Sequence, residues 1–289
     1  MIIVRIHGGL GNQLFQYAFG LYLKKKLNLT DVYFNSAHYV GDIDRPLSIK
    51  KLNLLNFNLV ESGFRKFKMP KLNKAYNLFF NYNQYYIEGL NFFRNDFLPK
   101  NFKPDKNYYF DGYWQKIRII NDVEFELRDQ INFNVQISDS ANNIIHLIKK
   151  TKNSVSVHIR KTDFITENKN KSIFSDCNID YYYRAFNYLL ESLNKEFTLF
   201  IFSDDFNWVK SNLKIAYKYF LVEGNSDYED LYLMSCCDHN ITANSTFSWW
   251  AAWLNNSNNK IVITPEKWFE NDLNENDFVP DTWIRISNK

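Results

Sequence analysis

The second half of the chain alternates short apolar runs with amphipathic helical patterns, and this alternation limits its fold more than any other feature. The apolar runs are SVSVHI, FTLFIFS, YFLV, HNITA and KIVIT, and the helical patterns between them cover residues 181–193, 208–215, 228–236 and 247–254. Strands that alternate with helices are typical of βαβ units. We therefore predict a parallel sheet with right-handed crossovers in this half.

The beginning of the chain shows the same pattern once. IIVRIH predicts a strand, residues 12–27 predict a helix, and DVYFN predicts a second strand. Residues 41–110 are aromatic and rich in Asn, without a pattern that predicts individual elements, whereas residues 139–150 predict a helix. We expect an α/β protein with one lobe at residues 1–150, another at 151–289, and a cleft between the carboxyl ends of their sheets.

Composition and charge exclude several classes of protein. The 289 residues carry 35 Lys and Arg against 32 Asp and Glu, a formal net charge of +3, and 45% of them are hydrophobic. This balance excludes disorder, collagen-like chains and disulfide scaffolds, and it gives no support to nucleic-acid binding. Aromatic residues reach 18%, which provides ring surfaces for sugars as well as for the core. Biased codon usage explains the same excess equally well.

Cysteine usage and the first residues predict a cytoplasmic protein. Cys236 and Cys237 are adjacent, and the three cysteines match neither a disulfide framework nor a zinc motif. The first residues lack the pattern of a signal peptide, and no apolar run approaches the roughly 18 residues of a membrane helix. Basic clusters at residues 24–26 and 66–74 could make peripheral contact with the inner face of the plasma membrane. We favour the interpretation that these clusters are a solvated helix end and a solvated loop.

A glycine-rich turn, HGGLGNQ at residues 7–13, follows the first predicted strand. Glycine allows backbone N–H groups to approach an anion or a sugar, and the next helix adds a favourable dipole. We therefore take Gly9, Gly11, Asn12 and Gln13 as candidate binding residues. The spacing is neither a dinucleotide fingerprint nor a Walker loop, which argues against a nicotinamide enzyme and an ATPase. A tight turn with Asn12 as the helix cap is an equally good interpretation.

A dense charged patch ends the predicted strand SVSVHI. Arg160 can hold a diphosphate through two hydrogen bonds, and Lys161 adds a point charge beside it. Asp163 could orient the arginine or bind a ligand hydroxyl. An Arg and an Asp at this spacing more often form a surface ion pair. Their position at the carboxyl end of a strand favours the functional role here.

An acidic pair, Asp204 and Asp205, follows the predicted strand FTLFIFS. Paired acids are found in metal sites and in acid–base chemistry, but a residue here can also cap the next helix. We expect Asp205 to be the cap, and the role of Asp204 stays open. No DxD motif between apolar strands is present, so a metal-dependent nucleotide-sugar site has little support.

Ser245 and Thr246 stand where a helical pattern begins after HNITA. Unpaired N–H groups and hydroxyls at a helix start form an anion cradle. One cap explains only one hydroxyl, so we favour phosphate binding. Trp249 and Trp253 fall on one face of this helix and are expected in the core. With Arg160, the cradle suits a nucleotide diphosphate leaving group and needs no metal.

At these residues the chain resembles the bacterial alpha-1,2-fucosyltransferases of glycosyltransferase family 11. Several motifs agree with that family in order and spacing: GGLGNQLFQYAFG at 8–20, GYWQ at 112–115, HIRKTD at 158–163, FSDDFNW at 202–208 and ITANSTFSWWAAWLN at 241–255. The resemblance implies a GT-B-like fold of two Rossmann-type lobes, GDP-fucose as donor and inversion at the fucose anomeric carbon. It also implies that no metal or other cofactor is required.

The resemblance implies roles for individual residues as well. Arg160 matches the arginine that contacts the donor pyrophosphate. Lys161 stands where a second arginine is more usual, so the bidentate fork is lost there. Asp230 falls where relatives place a guanine-binding acid, and Asn12 resembles the Asn that faces the fucose and the acceptor. The full set expected at the donor is His158, Arg160, Lys161, Asp230, Ser245, Thr246 and Phe247.

The acceptor contacts and the catalytic base follow less directly. We expect acceptor contacts in residues 41–110 and around Tyr113, Trp114 and Gln115. Together with Arg160, we assign catalysis to Asp163, as the base that removes the proton of the acceptor hydroxyl. Glu167 is close enough in sequence to take the same part, and relatives differ on whether a base is used.

The sequence therefore predicts an inverting alpha-1,2-fucosyltransferase that moves L-fucose from GDP-fucose to the 2-hydroxyl of a galactose-type acceptor. The expected setting is the synthesis of an O-antigen-like surface glycan, with a galactose-containing oligosaccharide or a lipid-linked glycan as acceptor. Two alternatives stay open. One is a glycosyltransferase of the same fold with another nucleotide-sugar donor, and the other is a carbohydrate-binding protein without catalytic activity.

Overall fold

Strand β1 (Ile2–Arg5) is the centre of a parallel sheet formed by the first part of the chain. The other strands of this sheet are β2 (Tyr33–Asn35), β3 (Asn58–Val60), β4 (Tyr82–Ile87) and β5 (Asn107–Asp111). Their order is β3-β2-β1-β5-β4, and every pairing is parallel. Ile3 and Val4 are fully buried, as expected for a continuous apolar run in the middle of a parallel sheet.

The structure is a computed structural model that divides into two units, residues 1–135 and 136–289. It describes residues 1–39, 45–60, 82–87, 102–131, 133, 137–161, 175–269 and 277–289. For residues 82–87 only the backbone is described. Among the described residues, no helix has both the length and the apolar character needed to cross a membrane.

Helix α1 (Leu10–Lys26) follows the glycine-rich turn and is buried along most of its length. It begins two residues before the predicted helix, and Gly9 is its N-cap, without a side-chain hydrogen bond. The interpretation of Asn12 as the helix cap is therefore wrong. The first unit also contains the short helices α2 (Ile117–Asp122) and α3 (Glu124–Gln130), and two 3₁₀ turns at Ala37–Tyr39 and Ser48–Leu52.

The second unit contains a six-stranded parallel sheet with the order β11-β10-β9-β6-β7-β8. Its strands are β6 (Ser154–Ile159), β7 (Thr198–Ser203), β8 (Lys218–Leu221), β9 (His239–Ile241), β10 (Val262–Pro265) and β11 (Ile284–Ile286). Its helices are α4 (Asp139–Lys150), α5 (Ile179–Leu193), α6 (Phe206–Asn212), α7 (Asp227–Ser235) and α8 (Thr246–Leu254). Each of the five predicted apolar runs contains one of these strands or overlaps it with an offset of one residue at an end, and β11 is an addition.

The strand order of the second unit is that of a doubly wound fold. From β6 the chain proceeds to β7 and β8 on one side, and then to β9, β10 and β11 on the other. Ligands of such folds bind beyond the carboxyl ends of the two strands where the direction reverses. Those strands are β6 and β9 here, and β1 and β5 are the corresponding neighbours in the first unit. The prediction of two Rossmann-type α/β lobes is confirmed.

The division between the units lies about one helix before the expected position after residue 150. Helix α4 belongs to the second unit. Its N-cap residue, Ser138, donates its backbone N–H to the carboxylate of Glu229 in α7, at 2.8 Å. This hydrogen bond connects α4 to the second sheet's own helices. A helical pattern predicts the helix correctly, but it does not indicate which sheet the helix covers.

Helix α1 approaches the first sheet closely at Gly20, and this contact predicts the effect of a substitution. A Cβ at Gly20 would lie only 2.6 Å from Cε1 of the buried Phe34. We expect Gly20→Ala to destabilise the protein by about 1–3 kcal/mol, although alanine alone would favour the helix by roughly 1 kcal/mol. Urea denaturation measures the change. Phe34→Leu in the same chain should restore part of the loss, and an unchanged or higher midpoint for Gly20→Ala would contradict the close approach.

Candidate functional site

Two residues predicted to bind one ligand meet at the carboxyl ends of β6 and β9. Arg160 follows β6 directly, and Ser245 is the N-cap of α8, shortly after β9. The guanidinium of Arg160 donates to Oγ of Ser245 at 3.1 Å, and the same oxygen accepts from the N–H of Phe247 at 3.3 Å. The pair therefore lies at the ligand-binding position of a doubly wound sheet.

His158 lies in β6 beside this pair and is only 7% exposed. Its ring packs edge-on against Phe247, with 5.7 Å between the ring centroids, and among the described residues its Nδ1 has no hydrogen-bond partner. Burial lowers the pKa of His158 to about 4; the carboxylate of Asp204 opposes this shift and Arg160 adds to it. The imidazole is therefore neutral near pH 7.

The start of α8 carries the two hydroxyls that the sequence indicates. Ser245 is buried, and Thr246 is half-buried as the first residue of the helix. Further along, the indoles at positions 249, 250 and 253 are buried and pack on one another. Their expected place in the core is confirmed. Phosphate binding at the helix start stays a prediction.

Lys161 has a different environment from the one expected. It is 6% exposed, and its Nζ donates to both carboxylate oxygens of Asp176 at 3.0 Å and to the carbonyl of Cys177 at 2.7 Å. The ammonium also lies 4.6 Å from the centre of the Trp208 ring. These contacts account for its three donors. The expectation that Lys161 supplies a second phosphate-binding charge has no support in this arrangement.

The two acidic residues after β7 have different roles. Asp205 accepts from the backbone N–H of Trp208 at 2.8 Å, which confirms it as the cap of α6. Asp204 accepts from the backbone N–H of Lys161, also at 2.8 Å. It therefore connects the carboxyl ends of β6 and β7 beside Arg160. The sequence alone left this role of Asp204 open.

Glu229 and Asp230, in the first turn of α7, have pKa values that are shifted in opposite directions. Burial raises the pKa of Glu229, but hydrogen bonds from Ser226 and Ser138 outweigh it and hold the pKa at about 2. For Asp230, burial raises the pKa to about 7, although Asn225 donates to its carboxylate at 3.0 Å. Asp230 therefore changes its charge near neutral pH. Its expected contact with guanine stays a prediction.

The glycine-rich turn of the first unit is held by side-chain amides. Gly8 has a φ of 79°, a conformation that favours glycine. Oδ1 of Asn12 accepts from Nε2 of Gln115 at 2.9 Å. Gln13 is fully buried, and its amide group bonds the carbonyls of Gly8 and Pro46 and the N–H of Ile49, each at 2.9 Å. Gln13 therefore stabilises the turn from inside.

Two other positions of the turn differ in surroundings. A Cβ at Gly9 would lie 3.2 Å from Nη1 of Arg45, so a guanidinium packs against the turn there. Gly11 is buried within α1. Sequence reasoning did not identify Arg45, because it stands in the stretch without predicted elements.

The GYWQ motif places one partly exposed ring, that of Tyr113, after the carboxyl end of β5 in the first sheet. Tyr113 is 38% exposed, and its ring centroid lies 4.5 Å from that of His7. Trp114 is only 4% exposed and stacks on Phe19 at 4.0 Å. The expectation of an acceptor contact at Trp114 therefore gives way to a core role. Gln115 is also buried and holds Asn12, as described above.

A charged cluster at the carboxyl ends of β1 and β5 was not predicted. Nη1 of Arg5 donates to the carboxylate of Asp111 at 2.9 Å, and Nε2 of His7 lies 3.8 Å from the same oxygen. His38 lies beside both basic residues. The available signal was the alternation of Arg5 and His7 in the first strand, but Asp111 depends on β5, which the sequence did not predict.

The remaining predictions concern the base and the cofactor. Asp163 and Glu167 lie outside the described residues, so the base stays a prediction. The described part of the chain contains no group of three or more His, Cys, Asp or Glu side chains placed to hold a metal ion. All three cysteines are free thiols, two buried and one half-buried.

The fold defines the class of protein. It is similar to the crystal structure of the fucosyltransferase NodZ from Bradyrhizobium, with a TM-score of 0.54 and 11% identity, over 88% of this chain and 92% of that one. A second structure, NodZ alpha-1,6-fucosyltransferase soaked with GDP-fucose, gives a TM-score of 0.52 and 12% identity over 86% and 90% of the two chains. The protein therefore has a GT-B-like fold.

Sequence similarity then gives the family. The profile of glycosyl transferase family 11 matches residues 59–287. The O-antigen biosynthesis glycosyltransferase WbnK of Escherichia coli is 30% identical, over 97% of this chain and 99% of its own. An alpha-1,2-colitosyltransferase of Escherichia coli is 33% identical, over 99% of each. The chain belongs to glycosyl transferase family 11.

The raised pKa of Asp230 predicts a pH-dependent stability. In the folded protein this pKa is about 7, above its ordinary value of 3.8, so the contribution to stability is present below pH 4 and is lost as the pH rises through 7. We expect the stability of Asp230→Asn relative to wild type to increase between pH 4 and pH 8, by up to about 4 kcal/mol. Urea denaturation of both proteins across this range measures it. A difference that stays constant with pH would contradict the burial of this carboxyl.

Proposed function

We propose that the protein is an inverting glycosyltransferase that transfers L-fucose from GDP-fucose to the 2-hydroxyl of a galactose-type acceptor during O-antigen synthesis. The observation that carries this proposal is the pair of Arg160 and Ser245 at the switch point of the second sheet, with the buried His158 beside it. The family and the O-antigen glycosyltransferase among its relatives support the setting.

The donor-site residues suit a diphosphate leaving group. As the bond to the sugar breaks, negative charge develops on the pyrophosphate, and pre-placed donors stabilise it most effectively. Arg160 supplies a full positive charge and a planar fork. The start of α8 adds a partial positive charge and the hydroxyls of Ser245 and Thr246. The neutral His158 can donate one hydrogen bond without adding charge.

Inversion requires one direct displacement. The acceptor 2-hydroxyl forms a bond to the anomeric carbon on the face opposite GDP, the bond from that carbon to the diphosphate oxygen breaks, and the hydroxyl loses its proton. Asp163 remains our proposed acceptor of that proton. Asp230 is the proposed partner of the guanine base, and no metal is proposed to take part.

A second candidate differs only in the donor sugar. The relative that transfers colitose is 33% identical over nearly the whole chain. Colitose is L-fucose without its 3-hydroxyl group, so the two sugars have the same anomeric centre, and GDP-linked colitose would have the same leaving group. In this proposal the donor-site residues contact the nucleotide diphosphate. Activity with each donor therefore has to be measured to identify the sugar.

The first prediction of this proposal concerns Arg160. With GDP-fucose and lactose in EDTA, we expect wild-type protein to release GDP only when the acceptor is present, and to form an alpha-1,2 linkage visible by NMR. Arg160→Ala should lower kcat/KM for the donor on the order of a hundredfold or more, because the leaving group loses its main charge partner. The same assay with GDP-colitose compares the two donors through their kcat/KM values.

The control for this experiment is Arg128→Ala. Arg128 is paired with Glu124 at 2.8 Å on the surface of α3, and its loss should leave transfer unchanged. If Arg160→Ala retained full activity, the donor-site assignment would be wrong. Binding of galactosides without any GDP release, in the presence of either donor, would favour the carbohydrate-binding alternative.

A separate prediction concerns the acceptor. Tyr113 presents a partly exposed ring on the edge of the first sheet, and sugars pack on such rings through their apolar faces. We expect Tyr113→Ala to raise KM for the acceptor roughly three- to tenfold, with little change in GDP affinity. Tyr113→Phe keeps the ring and should behave as wild type. An effect of Tyr113→Ala confined to the donor would contradict this assignment.

A further inference from the structure

One short segment contacts the sequence neighbours of both Arg160 and Ser245. Lys161 follows Arg160, and its ammonium bonds the carboxylate of Asp176 at 3.0 Å. Asn244 precedes Ser245, and its Nδ2 donates to the carbonyl of Ser175 at 2.7 Å. Residues 175–177 thus connect the two loops that carry the donor-site pair.

The lysine and asparagine ends of these contacts are buried, whereas the side chain of Asp176 is 48% exposed. Lys161 is 6% exposed and Asn244 is 8% exposed, and Ser175 and Cys177 are more deeply buried still. A buried ammonium that loses its carboxylate partner is left uncompensated, which is strongly unfavourable. The carbonyl of Cys177, 2.7 Å from Nζ of Lys161, gives this ammonium a second fixed acceptor. The connection therefore resists displacement.

The segment is itself held in place. The side-chain amide of Asn288 donates to Oγ of Ser175 at 3.2 Å and to the carbonyl of Asp176 at 3.0 Å. The N–H of Ser175 donates to the carbonyl of Trp268 at 3.1 Å. Residues 175–177 are thus anchored to the last part of the chain, and the carbonyl of Trp268 also accepts from Nδ2 of Asn244.

We propose that residues 175–177 act as a brace that sets the separation of Arg160 and Ser245, and that Lys161 is a positioning residue of the donor site. This inference rests on the proposed donor. The backbone N–H of Lys161 is fixed by Asp204 and its side chain by Asp176, so the residue before it has little freedom. Displacing a binding group by about 1 Å can cost a hundredfold in rate, which makes the brace consequential.

The test uses Lys161→Met, Asp176→Asn and the double variant. Methionine keeps the apolar stem beside Trp208 and removes the ammonium, so the double variant leaves no unpaired charge. We expect each single variant to lower kcat/KM for the donor roughly ten- to hundredfold, and to weaken GDP binding in calorimetry. The kcat/KM of the double variant should be no lower than that of the less active single variant, because all three variants disrupt the same contact.

A matched control is available in the same unit. Lys210 and Glu223 form an exposed ion pair of the same length, 3.0 Å. Lys210→Met should leave GDP binding and transfer unchanged. Lys161→Arg retains a cation that can reach Asp176, and it should restore most of the activity that Lys161→Met loses.

Two results would overturn the brace. If Lys161 binds phosphate instead, Asp176→Asn sets its ammonium free, and GDP binding stays the same or becomes tighter while Lys161→Met alone weakens it. If the contact is merely structural, thermal unfolding shifts, but kcat/KM measured well below the unfolding temperature does not. Failure of the wild-type protein to bind GDP would overturn both the proposed donor and the brace.

Discussion

Backbone pairing between β6 and β9 is the constraint on which the proposed donor site depends. These strands are separated by almost eighty residues of sequence, yet Val155 pairs with His239 and Val157 with Ile241 in parallel register. Only this pairing brings the residue after β6 beside the helix that follows β9. The intervening strands, β7 and β8, lie on the other side of β6, and ligands of doubly wound folds bind beyond the carboxyl ends of such a strand pair.

The basic residues at the carboxyl end of β6 differ in their charge partners. Two basic residues follow β6, but the buried ammonium of Lys161 is paired with Asp176, and the nearby His158 is neutral because it is buried. Arg160 is therefore the cation that the proposed mechanism assigns to the diphosphate. The hydroxyl it contacts is also a helix cap, so the arginine, the helix start and the strand end form one connected group.

The sequence predicts the second unit well and the first unit partly, for physical reasons. SVSVHI and FTLFIFS are rich in β-branched and aromatic residues and favour strands by themselves, whereas β3 and β5 lie in or at the end of the Asn-rich stretch and depend on pairing with neighbours. Motif membership does not reveal which side chains are buried. Trp114 and Lys161 both stand in motifs, and both are directed into the protein. Asp111 was missed because its strand was missed.

The tryptophans are distributed unequally between the two units, and this affects what intrinsic fluorescence measures. Of the seven tryptophans in the sequence, Trp114 alone belongs to residues 1–135. It is stacked on Phe19 at 4.0 Å, while Trp249, Trp250 and Trp253 pack together in α8, next to the proposed donor-site residues. Intrinsic fluorescence therefore reports mainly on the second unit. A Trp114→Phe protein would report on that unit alone, and the difference between the two signals would follow the first unit.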